Sequence, residues 1–592
     1  MSHAHARHRR AQSARRGAWH ICRKITMSEK KRPTTKRYKN LLFGRALPAG
    51  LLIGLQVFWI VAAVTQFVIY FPVLNEIMRA LSVVFVVILL NDRGEQTEYK
   101  LIWIIVVLLF PIFGAPFYYL FGNRKPGRNF KRRLDASDVK YHLSYFQDRR
   151  TQEAFLQKDV RGAGTADYIF NAQFFPVHQN TKLTYYSSGE TLLESMMEAI
   201  RSAEHFIFLE YFTIEVGDVW EPMLNLLIEK AEQGVEVNLL YDDFGCSQYL
   251  PRNYHKELNK ISPNFKCLKY NRMVPVFSVF MNNRDHRKML VVDGYIGFTG
   301  GMNLSDRYVN INCPYGRWKD AGLRMVGDAV WNLTLMFLEM WEAVDVEAYR
   351  RNQKRAKLLK RLDRKVEHNR NTARTEEKLA EMDETEQEAF MGMINELKDY
   401  MPHRYHEIVE GEAFVQPYGD EPFDDVLLSE NVYIELINQA KRRLYIFTPY
   451  LIMSDELTRA LCIAAKRGVD VRVVVPGIPD KKMVYRLTKA SFPHLKEHGI
   501  RIYTYTPGFL HSKCMLCDAD KGVVGTVNLD YRSLFLHFED AVFFSDAHAA
   551  SALYRDFKST FPLCHEVTAE DMKKGLGGQI LDSLLRVIAP LL

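Results

Sequence analysis

Cysteine is scarce in this chain of 592 residues. The eight that occur are Cys22, Cys246, Cys267, Cys313, Cys462, Cys514, Cys517 and Cys564. Their spacing matches no disulfide framework, which argues against a cross-linked secreted scaffold and for a reducing compartment. Cys514 and Cys517 form a C-x-x-C without a second pair. On a strand, residues three apart point to opposite faces, so buried thiols fit better than zinc ligands. The body of the chain also lacks a basic excess. The net charge is +9, yet residues 1–45 hold fourteen Lys/Arg against one acid, Glu29. The remainder is slightly acidic. That balance argues against nucleic acid as a partner and assigns the positive charge to a tail suited to anionic lipid.

Two long runs lack charge altogether. Ala49–Phe71 and Leu101–Phe121 each reach the roughly 20 residues needed to cross a bilayer. A third run, Val73–Leu90, carries Glu76 and Arg79 near one end and reads as interfacial or packed on the other two. The tail before the first run is basic, and so is the stretch after the last: Arg124, Lys125, Arg128, Lys131, Arg132 and Arg133. Basic flanks stay cytoplasmic, so two crossings of the plasma membrane with the body facing the cytoplasm are expected, while three crossings, with the third run also spanning, would put the body outside. The first run is too long for a signal-peptide core. Met27 offers a second start.

The remaining chain repeats itself. Phe206–Ile214 reads as a strand, Trp220–Gln233 as a helix, and Gly234 precedes a strand at Val235–Asp243. Leu444–Ile452, Asp455–Arg467, Gly468 and Val469–Pro476 follow the same order. Alternating elements with apolar strands predict two similar α/β domains packed as a pseudo-dimer. The organisation expected is a basic tail (1–48), a membrane region (49–122), a juxtamembrane linker (123–175), a first α/β domain (176–345), a charged helical connector (346–405), a second α/β domain (406–569) and an amphipathic tail (570–592). In that tail Ile580, Leu581, Leu584, Leu585 and Ile588 recur at helical spacing, fit for packing on the body or for contact with lipid.

The repeat carries a motif. His286, Lys288 and Asp293 are followed, after six residues, by Gly300, Gly301 and Asn303. His511, Lys513 and Asp518 are followed in the same register by Gly525, Thr526 and Asn528. Both copies read H-x-K-x4-D-x6-G-[GT]-x-N at a constant offset. On a strand, residues i and i+2 share a face, so each histidine projects with its lysine. Gly300 and Gly525 are read as tight turns that return Asn303 and Asn528 to the histidines. Two imidazoles, two ammoniums and two amides form a cluster for a phosphodiester anion. The lysines would repel a metal cation, so neither metal nor cofactor is expected.

These motifs resemble the phospholipase D superfamily. The resemblance extends to its cardiolipin synthase branch through Tyr99–Trp103, Pro111–Gly114, Leu209–Phe212, Arg317–Asp320, Thr448–Leu451, Gly477–Asp480, Asn528–Ser533 and the ending Pro590–Leu592. Thr526 stands where the family commonly has Ser, and keeps a hydroxyl. The far N-terminus and much of the connector lie outside the resemblance.

The resemblance implies a membrane phosphatidyltransferase that joins two phosphatidylglycerols and releases glycerol. It implies His286 as nucleophile, His511 as acid and then base, and Lys288, Lys513, Asn303 and Asn528 as partners of the phosphate oxygens. Asp320 and Glu539 are implied as carboxylates that orient the histidines. Asp293 and Asp518 join the catalytic motif or, by hydrogen bonds to backbone amides, secure its loops. The same motifs serve a phospholipid hydrolase or a transferase with another donor. A nuclease and an inactive scaffold fit the apolar runs and the intact motifs less well. The residues leave the oligomeric state open.

Overall fold

The computed structural model describes 65, 69–91, 97–110, 114–118, 122, 128–271, 282–350, 384–424 and 426–589. The chain divides into two units, Met1–Gly122 and Asn123–Leu592.

In the first unit, most of Ala49–Phe71 lies outside the described residues. The other two apolar runs exchange the roles their composition suggested. Pro72–Asn91 is an unbroken helix of 20 residues, long and apolar enough to cross a membrane. Glu76 and Arg79, which argued against a span, sit in its first two turns and pair with each other at 3.1 Å. Leu101–Phe121 is not one straight span. Its helix, Thr97–Leu109, stops before Pro111, and the chain turns back. Tyr99 donates to the Gly122 carbonyl at 2.8 Å, and Trp103 meets Tyr118 edge-on at 5.4 Å. A Cβ on Gly114 would lie 2.5 Å from the Val107 Cα, so only glycine permits this return.

The second unit contains two sheets of like plan. The first is built from β1 (Thr181–Tyr186), β2 (Phe206–Tyr211), β3 (Glu236–Asp242), β4 (Phe265–Tyr270), β6 (Lys288–Val292), β7 (Ile296–Gly300) and β8 (Gly322–Gly327), with the two-residue β5 (Arg284–Asp285) outside it. The second comprises β9 (Phe414–Asp420), β10 (Arg443–Phe447), β11 (Asp470–Pro476), β12 (Arg501–Tyr505), β13 (Cys514–Cys517), β14 (Lys521–Gly525), β15 (His537–Ser545) and β16 (Cys564–Glu566). Their orders, β1-β8-β7-β6-β2-β3-β4 and β9-β15-β14-β13-β10-β11-β12, correspond strand for strand, with β16 added at an edge. In both, three parallel strands adjoin four antiparallel ones. The parallel strands are covered on both faces, which is why β2 is buried at every residue and reads as one apolar run. Gly234 (φ 105°) and Gly468 (φ 91°) end equivalent helices in a backbone conformation that costs glycine little.

The halves are stitched at several places, among them an antiparallel bridge between His178 and Val415. β5, from the first half, pairs with the start of β15. Lys319, also from the first half, bridges to Leu510. The segment read as a juxtamembrane linker folds instead into the helices Arg128–His142, Arg149–Lys158 and Val160–Gln173. Two of its basic residues are spent on carbonyls inside the fold, Lys131 on Phe423 and Arg133 on Ala343. The connector likewise ends as structure. Phe390, Met393 and Leu397 are buried, and Tyr400 meets Phe206 edge-on at 5.0 Å. Its earlier charged stretch, 351–383, lies outside the described residues.

Candidate active site

His286 lies in the link between β5 and β6, just ahead of the strand rather than on it. Its backbone N–H donates to the Phe538 carbonyl at 2.8 Å, across the junction of the halves. His511 repeats this arrangement with the Lys319 carbonyl at 2.7 Å. Each histidine is thereby held by the backbone of the opposite half, and each meets that half's carboxylate. His286 Nδ1 lies 2.8 and 2.9 Å from the two oxygens of Glu539. His511 Nδ1 lies 2.8 Å from Asp320 Oδ2. The pairing is crossed, and both carboxylates are fully buried. A carboxylate accepts, so each Nδ1 carries the proton and each Nε2 keeps its lone pair.

Lys288 and Lys513 are the next shared feature. Each is buried, and each Nζ donates to the carbonyl of its own histidine at 2.5 Å. Burial drives their pKa values down, Lys288 to about 8 and Lys513 to about 7. Burial also lowers both imidazoles, His511 to about 3. The charges that add to this effect belong to both halves: Lys288, Lys513 and His511 act on His286, and Lys513 and Lys288 act on His511. His511 and Lys513 hold Asp320 below its ordinary value against the opposing effect of burial. The pair is therefore a carboxylate with a neutral imidazole. Both lysines and both imidazoles are depressed toward their neutral forms, and a bound phosphodiester anion would favour their charged forms.

The motif aspartates stand elsewhere. Asp293 ends β6 and Asp518 ends β13, about 20 Å along the chain from their histidines. Both adopt positive φ, 52° and 55°, at hairpin turns. The Asp293 carboxylate accepts from the backbone N–H groups of Glu204, His205 and Phe206, each at 2.8 Å. Asp518 does the same for Lys441, Arg442 and Arg443. Of their two readings from sequence, the geometry favours the one that secures loops.

The asparagines are also committed locally. Asn303 accepts from the Thr213 N–H at 3.0 Å and donates to the Tyr308 hydroxyl at 2.7 Å. Asn528 donates to Ser533 at 3.0 Å. Gly300 and Gly525 are not tight turns but strand ends paired with Gly322 and Ala541. A Cβ at either would lie 2.4 Å from a carbonyl oxygen of the neighbouring strand. The glycines let strands approach closely, and that approach brings Asp320 and Glu539 level with the histidines.

Further side chains complete the site, Trp318 and Thr526 from stretches the sequence marks and the others without a motif signal. Trp318 donates to Asp320 at 3.3 Å, and its ring lies 5.2 Å from His511, with Tyr308 and Phe509 near the same imidazole. Thr526 donates its hydroxyl to Glu539. Arg287, buried, stands between Glu210 at 3.6 Å and Asp285 at 3.7 Å. His537 lies 5.5 Å from His286, ring to ring. His286, His537 and Glu539 place ligand-type atoms within 4.8 Å of one another. Two lysines at the same site make it a poor fit for a metal cation. Cys514 and Cys517 are buried in β13 and face different surroundings, Cys514 the Tyr185 hydroxyl and Cys517 the Leu436 carbonyl.

A family profile described as "Cardiolipin synthase, PLD-like domain" matches residues 196–316 and 433–561. A second, "Phospholipase_D-nuclease N-terminal", matches 80–123. A cardiolipin synthase of Geobacillus sp. (strain WCH70) is 30% identical over 525 residues, covering 87% of this chain and 93% of the relative. Cardiolipin synthase 2 of Bacillus anthracis is 28% identical over 517 residues, 86% of this chain and 89% of the relative. An uncharacterized protein of Streptococcus mutans is 35% identical over 508 residues, 86% of this chain and 99% of its own length. Among solved structures, the phosphatidylserine synthase of Haemophilus influenzae superposes with a TM-score of 0.50 at 13% identity, covering 73% of this chain and 98% of that one. That likeness supports the fold.

Proposed function

Since this chain belongs to the cardiolipin synthase family of the phospholipase D superfamily, we propose that it condenses two phosphatidylglycerols to cardiolipin and glycerol through a phosphatidyl-histidine. The observation that carries this reading is the crossed pairing of two buried histidines with two buried carboxylates, beside two buried lysines.

The steps follow from the charges. A phosphodiester enters and is neutralised by Lys288 and Lys513, whose ammonium forms its charge favours. His286 Nε2 attacks phosphorus while the bond from phosphorus to the glycerol oxygen breaks. Protonated on Nε2 in the bound complex, His511 gives that proton to the leaving oxygen. Glycerol departs. The hydroxyl of a second phosphatidylglycerol gives its proton to His511 Nε2, its oxygen attacks phosphorus, and the phosphorus–nitrogen bond breaks. Glu539 and Asp320 hold the Nδ1 protons and stabilise each imidazolium as it forms. Asn303 and Asn528 hold the loops around the phosphate.

The enzyme acts at the plasma membrane. Pro72–Asn91 serves as a crossing, and the basic flanks at 1–45 and 124–133 keep the catalytic body on the cytoplasmic face. The purified full chain, given labelled phosphatidylglycerol in vesicles, is expected to release cardiolipin and free glycerol in equal amounts. Phosphatidic acid as the main product would replace this reading with a hydrolase. Cardiolipin formed only on adding phosphatidylethanolamine would change the donor.

A further inference from the structure

β3 and β11 are equivalent strands, and each ends beside a histidine. Two residues beyond each end stands an exposed apolar side chain, Phe244 (47% exposed) after Asp242 and Ile478 (41%) after Pro476. Phe244 lies 4.8 Å beneath the Arg284 guanidinium, two residues before His286. The Ile478 N–H donates to the Gly508 carbonyl, three residues before His511. The pseudo-twofold that builds the site thus places an apolar residue on either side of it.

From the Ile478 side the apolar surface continues. Lys481 lies over the Tyr450 ring at 5.5 Å and contributes to lowering His286. Exposed Met483 follows in the first turn of the helix Lys482–Glu497. The C-terminal helix, Leu576–Ile588, packs alongside in the same direction, with Arg486 on Asp582 and Arg586 on the Ala490 carbonyl. Its inner face is Asp582, Leu585 and Ala589, all buried. Its outer face is Leu576, Ile580, Leu584 and Val587, exposed by 44 to 75%. These sit at i, i+4, i+8 and i+11, an apolar stripe turned away from the body. Lys481, Lys482 and Lys489 are exposed on and just ahead of the helix that Leu576–Ile588 packs against.

We infer that the rim formed by Phe244, Ile478 and Met483, together with the outer stripe of the C-terminal helix, docks on an anionic bilayer and holds the site's entrance against it. This rests on the proposed function and adds the surface by which substrate arrives. Apolar side chains at the acyl boundary with lysines at the headgroup level match the charge and polarity of a leaflet that contains phosphatidylglycerol. A second copy of this chain would present the same lysines to each other and meet repulsion.

The test uses the full chain in nanodiscs of phosphatidylcholine with phosphatidylglycerol. Cys22, Cys313 and Cys564 are changed to Ser, which leaves only buried thiols, and an environment-sensitive fluorophore is placed by Leu584→Cys, Ile478→Cys or, as control, Glu232→Cys. Glu232 is exposed at the end of Trp220–Glu232, by the opposite ends of the strands. Nitroxide-labelled lipid is expected to quench the probes at 584 and 478 and spare the control, with aqueous iodide acting in the reverse order. Iodide quenching of all three alike overturns the proposal. So does energy transfer between copies without quenching by lipid, which would make the surface a protein interface. Neither readout needs turnover, so failure here is separable from failure of the proposed reaction. As a second arm, the double variant Ile580→Gln, Leu584→Gln is expected to raise the apparent KM for phosphatidylglycerol in vesicles about tenfold, with kcat and thermal midpoint unchanged. An unchanged KM contradicts the proposal.

Discussion

The two halves of the catalytic body share a plan and differ at the residues that touch the histidines' carboxylates. On one side Asp320 is served by Trp318 and by the Ala321 N–H, with Gly301 beside it, where a Cβ would lie 2.1 Å from Asp320 Oδ1. On the other, Thr526 occupies the Gly301 position and gives its hydroxyl to Glu539, and His537 occupies the Trp318 position. His511 therefore sits among three aromatic rings, while His286 sits beside a second imidazole and a hydroxyl-supported carboxylate. Duplication supplied two identical histidines, and the substitutions around the carboxylates give them different surroundings. That difference distinguishes the two imidazoles to which the proposed transfer gives different roles.

The strongest way to break the comparison is to remove either histidine. His286→Ala and His511→Ala are each expected to lower cardiolipin formation by about 10³-fold or more, and the double variant little further, since the pair acts as a unit. Steady-state product formation in vesicles checks this.

The crossed pairing sharpens it. Asp320→Asn, a change in the first half, should behave as a defect of His511, and Glu539→Gln, a change in the second, as a defect of His286. Each is expected to cost about 10²-fold in kcat. Labelled phosphatidyl-enzyme should accumulate in Asp320→Asn and be missing in Glu539→Gln. The opposite pattern would assign each carboxylate to its own half.

The lysines give a dependence on pH. Lys513 at about 7 and Lys288 at about 8 lose their charge as pH rises through that window. The free enzyme then binds the phosphodiester less well, and kcat/KM should fall on the alkaline side between about pH 7 and 8. Lys513→Arg should move that limb upward. Stability runs the other way. Unfolded Lys513 binds more protons than folded between about 7 and its ordinary 10.5, so this group adds stability as pH rises across that range. His511, at about 3 when folded against 6.5 unfolded, withdraws stability as pH falls below 6.5.

A smaller effect separates the two motif aspartates. Asp293→Ala orphans three amides at a largely buried site, Asp518→Ala three at a mostly exposed one. The first is expected to cost about 3 kcal/mol and the second about 1, read as a larger fall in Tm for Asp293→Ala. Equal shifts would mean that burial does not set the difference.

Much of this was legible in the residues. The strand–helix–Gly–strand repeat and the paired motifs stand in the sequence because apolar periodicity and glycine punctuation are local. The crossing of Glu539 to His286 and Asp320 to His511 was not, because it joins residues 253 and 191 apart across a pseudo-twofold. Gly300 and Gly525 were read as turns because glycine signals both a turn and a close approach, and only the neighbouring strand distinguishes them. The membrane end was misassigned for a related reason. Composition registered the apolar length of Leu101–Phe121 but not the backbone contact of Gly114 with Val107 that folds it back. It also counted Glu76 and Arg79 as two charges, although they neutralise each other one turn apart.

The central claim is that two crossed half-sites form one active centre with divided labour. Brief reaction with phosphorus-labelled phosphatidylglycerol, a denaturing quench at neutral to alkaline pH that preserves the phosphorus–nitrogen bond, and mapping of the labelled peptide test it directly. Label on His286 in the wild type, accumulating when His511 is Ala, is the predicted result. Label divided between His286 and His511, or formed equally well by His286→Ala, would contradict it.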